Sequence, residues 1–321
     1  MKLGIVGTNF ISDDLVAACK KSGAAEPYAI YSRARETADT FAKRHGIERT
    51  YTDYSLMLSD KDIDAVYIAS PNMCHFEHAR AAVIAKKAVL CEKMITVCQS
   101  EFSELKDLVL AHGGILVEAM RPDFDRLIAT AKSEIGRLGK IKSACFEFRQ
   151  YSRRYDKFKE GVIMNAFDPT MKNSALADIG IYPLHVCISL FGEPRGITAD
   201  GSFLHNGFLA EGRAVLHYDG FDADVVFSKI TEGNNRSVIV GERGEMILNK
   251  ISEPASLEIS LGDRSELFKR GEHESNMANE VAEFARIVRE NDTVRAMELL
   301  SLSEKTVRAA DMIHRSLGIE F

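Results

Sequence analysis

The first ~120 residues alternate short β-rich apolar runs with helix-period segments, and no other feature limits the possible fold as tightly. Strands are predicted at Lys2–Val6, Glu26–Tyr31, Ala65–Ile68, Ala88–Cys91 and Ile115–Glu118, with helices near 12–22, 34–46, 53–59, 73–86 and 99–112. Strands joined through helices run parallel, and a parallel sheet needs cover on both faces.

From about Pro122 the pattern changes. Asp123–Ile135 reads as a helix, Gly136-Arg137-Leu138-Gly139 as a turn, and Ile141–Gln150 as a strand. Alternating runs follow at Gly212–Tyr218, Ala223–Ser228, Arg236–Gly241, Glu245–Asn249 and Leu257–Leu261, the mark of a mostly antiparallel sheet. Helical patterns at about 275–290 and 294–317 close the chain. With 321 residues, 45 % of them apolar, two ordinary domains can each bury a core. The expected division is 1–121, a parallel α/β domain, and 122–321, an α+β domain with a large open sheet.

A net charge of −6 argues against a dedicated nucleic-acid binder, and no basic patch suits a membrane surface. No apolar stretch approaches the ~20 residues that span a bilayer. Met1 leads straight into the first strand pattern rather than a signal peptide. The cysteines, Cys19, Cys74, Cys91, Cys98, Cys145 and Cys187, form no C-x-x-C and have mostly apolar neighbours. They read as reduced thiols of a cytoplasmic protein, not as bridges or metal ligands.

The first strand–helix turn, GIVGTNFIS, retains one glycine of the G-x-G-x-x-G pattern: Gly7, Asn9 and Ser12 hold the three positions. Its place after a first strand and before a helix suits a Rossmann-type pyrophosphate site formed by Gly7, Thr8, Asn9, Phe10 and Ile11. Asn9 is expected to keep a left-handed turn, since Asn enters that region more readily than other non-glycine residues. Where NAD sites carry a carboxylate after the second strand, this chain has Ser32 and Arg33, with Arg35 beyond. A guanidinium fork suits a 2′-phosphate, so NADP is expected, with NAD the alternative; a solvated arginine at a helix start is the plainer reading. After the third strand, Ser70, Pro71, Asn72 and His75 form a proline-fixed loop on the same side. His75 and His78 lack a clearly spaced third ligand, so a cap or cofactor contact is expected rather than a metal.

The ordered set GTNFIS, YSR, ASPNMCH, CEKM, EAMRP and ALADIGIYPLH resembles the Gfo/Idh/MocA family of nicotinamide-dependent oxidoreductases across nearly the whole chain. The resemblance implies that Lys93, with Glu92 beside it, reaches both nicotinamide ribose and substrate. Met94 stands where the family usually has proline. Glu118 is implied at the nicotinamide end, Arg121 and Asp178 at the substrate, and Tyr182 at a position that is His or Tyr in different members. A homodimer or dimer of dimers through the open sheet follows from the same likeness.

Hydride exchange with a carbinol carbon also moves a hydroxyl proton. Unperturbed Tyr and Lys titrate near ~10, so either must be tuned or the two must share the task. Lys93 is expected to polarise the substrate oxygen, Tyr182 to relay the proton and Asp178 to orient a hydroxyl, with His185 in reserve. The expected substrate is a small sugar, polyol or diol, or its carbonyl counterpart. A non-enzymatic NADP(H)-binding regulator or scaffold is the rival on the same fold. Lys172-Asn173-Ser174 replaces glycines common in the family, so these side chains either narrow a pocket or hold a polar group. Arg153, Arg154, Tyr155, Lys157 and Lys159 either rim a cleft for an acidic substrate or form a solvated loop.

Overall fold

A computed structural model describes residues 1–321. The chain forms two compact units: Met1–Met120 with Ser275–Ser301, and Arg121–Glu274 with Leu302–Phe321.

The first unit contains strands β1 (Lys2–Val6), β2 (Glu26–Tyr31), β3 (Arg49–Tyr51), β4 (Ala65–Ile68), β5 (Ala88–Glu92) and β6 (Leu116–Ala119). Helices α1 (Phe10–Ser22), α2 (Arg35–His45), α3 (Tyr54–Ser59), α4 (His75–Ile84) and α5 (Gln99–His112) connect them. All pairings are parallel and the order is β3-β2-β1-β4-β5-β6, a Rossmann-type sheet. Strands β4 and β6 are buried along their whole length, and the sequence shows β4 as an unbroken apolar run and β6 as one interrupted only by Glu118. The order reverses between β1 and β4, and the ligand crevice of such sheets opens outside the strand ends at that point.

The second unit opens with α6 (Arg126–Glu134) and β7 (Ile141–Arg149), followed by the short α7 (Arg153–Lys159) and α8 (Ile181–Phe191). Strands β8 (Gly196–Phe203), β9 (Leu209–Tyr218), β10 (Phe221–Ser228), β11 (Arg236–Gly241), β12 (Gly244–Asn249), β13 (Ser256–Leu261) and β14 (Arg264–Lys269) complete its sheet. The order is β14-β13-β12-β11-β7-β10-β9-β8, and β7 with β10 is its one parallel pair. Ala144, Phe146, Ala223, Val225 and Ile239 are buried on one face, whereas their alternates Cys145, Val226, Val238 and Val240 stay partly exposed on the other. The expected open face is therefore present.

Helices α9 (Asn276–Glu290) and α10 (Thr293–Ser316) end the chain. The expected second domain, 122–321, is divided by them. Helix α9 packs against α1 with Val281, Phe284 and Ile287 buried, so Ser275–Ser301 belongs to the first unit.

Candidate active site

In the first unit the sheet topology collects the expected cofactor residues at one edge, since all its strands end there. Register pairs Val6 with Ile68, which sets Gly7 against Ala69. Gly7 has φ +107°, and a Cβ there would lie 2.7 Å from the Ala69 carbonyl oxygen, so only glycine fits. Thr8 and Ile11 are half-buried, and Phe10 is 62 % exposed at the start of α1.

Asn9 departs from expectation. Its backbone is extended, at φ −81° and ψ 177°, because it caps α1 instead of making a left-handed turn. Oδ1 accepts from Ile11 N–H at 3.0 Å and Ser12 N–H at 3.3 Å, while Nδ2 donates to the Ala69 carbonyl at 2.8 Å. The Ser12 hydroxyl donates to the Gly7 carbonyl at 2.8 Å. Asn9 and Ser12 thus tie the turn together in place of the two missing glycines.

After β2, Ser32 Oγ meets Thr37 Oγ1 at 2.5 Å. Arg33 is exposed, and no hydrogen bond or ion pair holds its guanidinium. Arg35 instead donates to Thr50 Oγ1 at 2.7 Å. No carboxylate stands at this strand end, so the residues present fit an anionic 2′-substituent better than a bare ribose diol. Ser70, Pro71 and Asn72 remain partly exposed after β4. Ser70 Oγ meets His78 Nδ1 at 2.9 Å, and the His78 ring lies edge-on to Tyr54. Burial chiefly depresses the His78 pKa, to about 4, so this imidazole is neutral.

Three of the expected cofactor contacts serve the frame. His75 is buried, with Nδ1 2.8 Å from the Met94 carbonyl oxygen and Nε2 2.7 Å from that of Ser70. Glu92 is 8 % exposed and accepts from the Tyr67 hydroxyl at 2.5 Å. Glu118 is buried and accepts from Ile95 N–H at 2.9 Å. Their apolar surroundings favour partners for such side chains, and each of the three makes at least one polar contact inside the unit.

Lys93 differs from all its neighbours. It is the only residue of 89–98 that is not buried, and its peptide bond to Met94 is cis although Met94 is not proline.

In the second unit, Asp178 lies in a π turn, Leu176–Gly180, that leads into α8. Single π turns within helices are frequent at functional sites. Asp178 is likewise the only residue of 174–188 that is not buried, and its side chain is 34 % exposed. A Cβ on Gly180 would stand 2.7 Å from the Phe227 ring, so glycine lets the turn lie against β10. Tyr182 follows at 8 % exposure, with its ring centroid 6.0 Å from that of Phe148. Arg121 is half-buried in the turn Arg121–Phe124.

His185 does not reach a surface. It is fully enclosed, with Nδ1 3.1 Å from Thr306 Oγ1 and Nε2 2.8 Å from Asp123 Oδ1, which removes it as a reserve proton carrier or substrate contact. Asn173 and Ser174 are also engaged locally. Asn173 Oδ1 accepts from Ser174 N–H at 2.9 Å, and Ser174 Oγ accepts from Ala177 N–H at 2.9 Å while contacting His314 Nε2 at 2.8 Å. Ser174 caps the π turn and Asn173 takes the Ser174 N–H, roles that glycine could not fill. Lys157 and Lys159 form ion pairs with Glu160 and Asp156, so that segment carries its own counter-charges.

One residue of this half escaped the sequence reading. Lys229, just after β10, has a side chain 4 % exposed and its Nζ 2.7 Å from Asp178 Oδ2. Its only local signal is a lysine ending an apolar run, VVFSKI, as in VLCEKM.

Residues 1–119 match the family model for the oxidoreductase family with an NAD-binding Rossmann fold, and 129–247 match the GFO/IDH/MocA C-terminal domain. The chain is 32 % identical to scyllo-inositol 2-dehydrogenase (NADP+) of Bacillus subtilis, over 100 % of this chain and 98 % of the relative. It is 30 % identical to D-xylose 1-dehydrogenase (NADP+) 2 of Haloferax volcanii, over 68 % of this chain and 66 % of the other. Among solved structures, the 3-ketoreductase KijD10 of Actinomadura kijaniata, in complex with NADP and TDP-benzene, shares the fold. Its TM-score is 0.85 at 23 % identity, covering 98 % of this chain and 97 % of that one.

Proposed function

This chain belongs to the Gfo/Idh/MocA family of oxidoreductases and is an NAD(P)-dependent enzyme acting on CH–OH groups; from that premise we propose that Lys93, Tyr182 and Asp178 carry its proton chemistry. The observation behind this reading is the isolation of Lys93 and Asp178, each the one residue of a long buried run to keep solvent exposure. A charged side chain that keeps solvent within such a run avoids the cost of burial and stands at a surface where a ligand can meet it.

When bound, the nicotinamide supplies or takes the hydride. Gly7, Thr8 and the start of α1 are suited to its pyrophosphate, Ser32 and Arg33 to the 2′-phosphate of NADP, and Ser70 to Asn72 to the path between. NADP is accordingly the cofactor, with NAD a weaker substitute. The ammonium of Lys93 stabilises negative charge on the substrate oxygen, which eases loss of its proton in oxidation and the build-up of charge on the carbonyl oxygen in reduction. Tyr182 relays that proton; Asp178 accepts from a neighbouring substrate hydroxyl and fixes which carbon reacts. An acceptor carboxylate suits a polyhydroxylated ring or chain, so a polyol or sugar is the substrate class. The first unit is the dinucleotide domain and the second the substrate domain, whose open sheet face suits pairing into a homodimer in the cytoplasm.

The test is NADP+ reduction with scyllo-inositol and a panel of aldoses and polyols, together with Lys93→Ala and Tyr182→Phe. Each variant should lose about 100-fold or more in turnover while binding NADPH as tightly as wild type by isothermal titration calorimetry. Near-normal turnover in both would remove the assignment. The bind-without-turnover rival requires the wild type itself to be inert across the panel.

A further inference from the structure

We propose that Lys229 is a positioning residue for this reaction, its buried ammonium fixing the orientation and the charge of Asp178. The inference rests on the reading that puts Asp178 at the substrate. Lys229 lies at the end of β10, directly beside the π turn that carries the aspartate. Its ammonium reaches three kinds of partner. Nζ is 2.7 Å from Asp178 Oδ2, it donates to the Ala166 carbonyl, and it stands 4.6 Å and 5.2 Å from the ring centroids of Phe167 and Phe208. Those rings belong to a small apolar cluster with Phe158, Ala166 and Ala210.

Packing alone does not call for a lysine here. An ammonium taken out of water is expensive, and an apolar side chain of similar volume commonly fills such a place at equal or better stability. The charge does something at its partner instead. Asp178 is one-third exposed and would tolerate solvent in place of Lys229, but it would then turn among rotamers and hold its proton more readily. With Lys229 in place, Oδ2 is committed, the plane of the carboxylate is set, and the group stays an acceptor at lower pH.

Other ionisable groups on the elements packed against the π turn have different partners. Glu147 pairs with Arg149 on β7, Arg213 on β9 with Asp224 on β10, and Glu211 accepts from Ser228 and Thr231. His217 on β9 pairs with Asp222 on β10, and His185 on α8 with Asp123, while Tyr182 lies one turn beyond Asp178. Lys229 is joined to Asp178 by a direct ion pair, Nζ to Oδ2 at 2.7 Å.

The experiment compares full-length wild type, Lys229→Met, Lys229→Arg, Asp178→Asn and the Lys229→Met/Asp178→Asn double variant, with NADP+ and scyllo-inositol across pH. Lys229→Met should lower kcat at least about tenfold at neutral pH, with NADPH affinity unchanged within about twofold. Its acid limb of kcat/KM should move up by about one pH unit or more, and Lys229→Arg should move it back. The double variant should be no slower than Asp178→Asn, since both changes remove one device. A purely structural lysine would lower the melting temperature and leave the acid limb unmoved, and that result overturns the proposal. So do losses that multiply in the double variant. Should Lys229→Met fail to fold, Lys229→Gln, which keeps hydrogen bonding without charge, takes its place with the same expectations. Full turnover in Asp178→Asn overturns both this proposal and the site reading; an inert Asp178→Asn beside a normal Lys229→Met overturns this proposal alone.

Discussion

His75 is locked to Met94, its Nδ1 2.8 Å from the carbonyl oxygen of the residue that follows Lys93. The other ring nitrogen meets the Ser70 carbonyl, so a single imidazole joins the loop after β4 to the loop after β5. From β6, Glu118 takes the next backbone group, the N–H of Ile95. Residues 94 and 95 are thus held from both flanking strands, and Lys93 projects from a backbone with little freedom to move. Burial pushes the His75 pKa down, against the pull of both carbonyls and of Glu92.

Removing that anchor should reach the chemistry through Lys93. His75→Ala is expected to lower kcat by about 10- to 100-fold, as a displacement of a reacting group by about an ångström does. The unfolding free energy should fall by about 1–3 kcal/mol for the lost buried hydrogen bond and the carbonyl it leaves unpaired, before any cavity cost. Steady-state kinetics beside urea melts of the same variant check both. A variant that loses stability yet keeps wild-type kcat would show that Lys93 needs no such anchor.

Gly180 makes a separate demand, because its missing Cβ is what admits the Phe227 ring. The Cβ of Gly180→Ala would lie 2.7–3.0 Å from three Phe227 atoms, and both residues are buried. Overpacking of this kind should cost about 1–3 kcal/mol and disturb the π turn under Asp178. Phe227→Ala, which removes the two nearest of those atoms, should recover part of that loss in the double variant, although alone it destabilises. Additive losses in the urea midpoints would sink the steric account.

The parallel sheet is legible in the sequence because burial on both faces gives β1 and β4 apolar runs, and β1, β2 and β4 stand at the expected residues. Strands β3, β8 and β14 are not legible, because each is an edge strand with no buried residue, unlike the buried edge strand β6. In β14, five of six residues are exposed, so no alternation exists to read. Within the site, Lys93 and Asp178 were legible as charges interrupting apolar segments. Their burial environment was not. Asn is at home both in left-handed turns and at helix caps, so the sequence could not say that Asn9 would cap α1. The fates of His75 and His185 depended on which way each faces, and that is decided by Met94, Asp123 and Thr306, all distant in sequence. Lys229 was hidden for the same reason.

Cofactor choice should follow Arg33, whose guanidinium has no partner within the protein to lose. If it meets the 2′-phosphate, Arg33→Ala forfeits a charged hydrogen-bonding contact of about 1.5–3 kcal/mol. That corresponds to a rise of about 10- to 100-fold in KM for NADP, with KM for NAD nearly constant. The NADP effect should shrink in high salt, since an exposed ion contact is screened. An unchanged ratio of the two KM values would leave Arg33 as a solvated helix-start residue.

Acid should destabilise the fold through its buried imidazoles before the carboxylates titrate. His314 anchors Ser174, the cap of the π turn, and burial depresses its pKa from the ordinary 6.5 to about 4. A histidine kept neutral in the fold binds fewer protons than it does in the unfolded chain. Its contribution is therefore intact above pH ~6.5 and drains away as pH falls toward the folded value, on the order of 3 kcal/mol by pH ~4. His78 acts in the same direction and window, and His75, which burial also pushes down, in the same direction. Carboxylates such as Asp13 and Asp60, which their partners hold below the usual range, act only at lower pH, below the ordinary value of 3.8. The two effects are thus separable. Urea unfolding between pH ~4 and ~6.5 should show stability rising with pH, and His314→Gln, which can still donate to Ser174, should flatten that slope. A slope that survives His314→Gln undiminished would mean the imidazole is not held neutral behind the π turn.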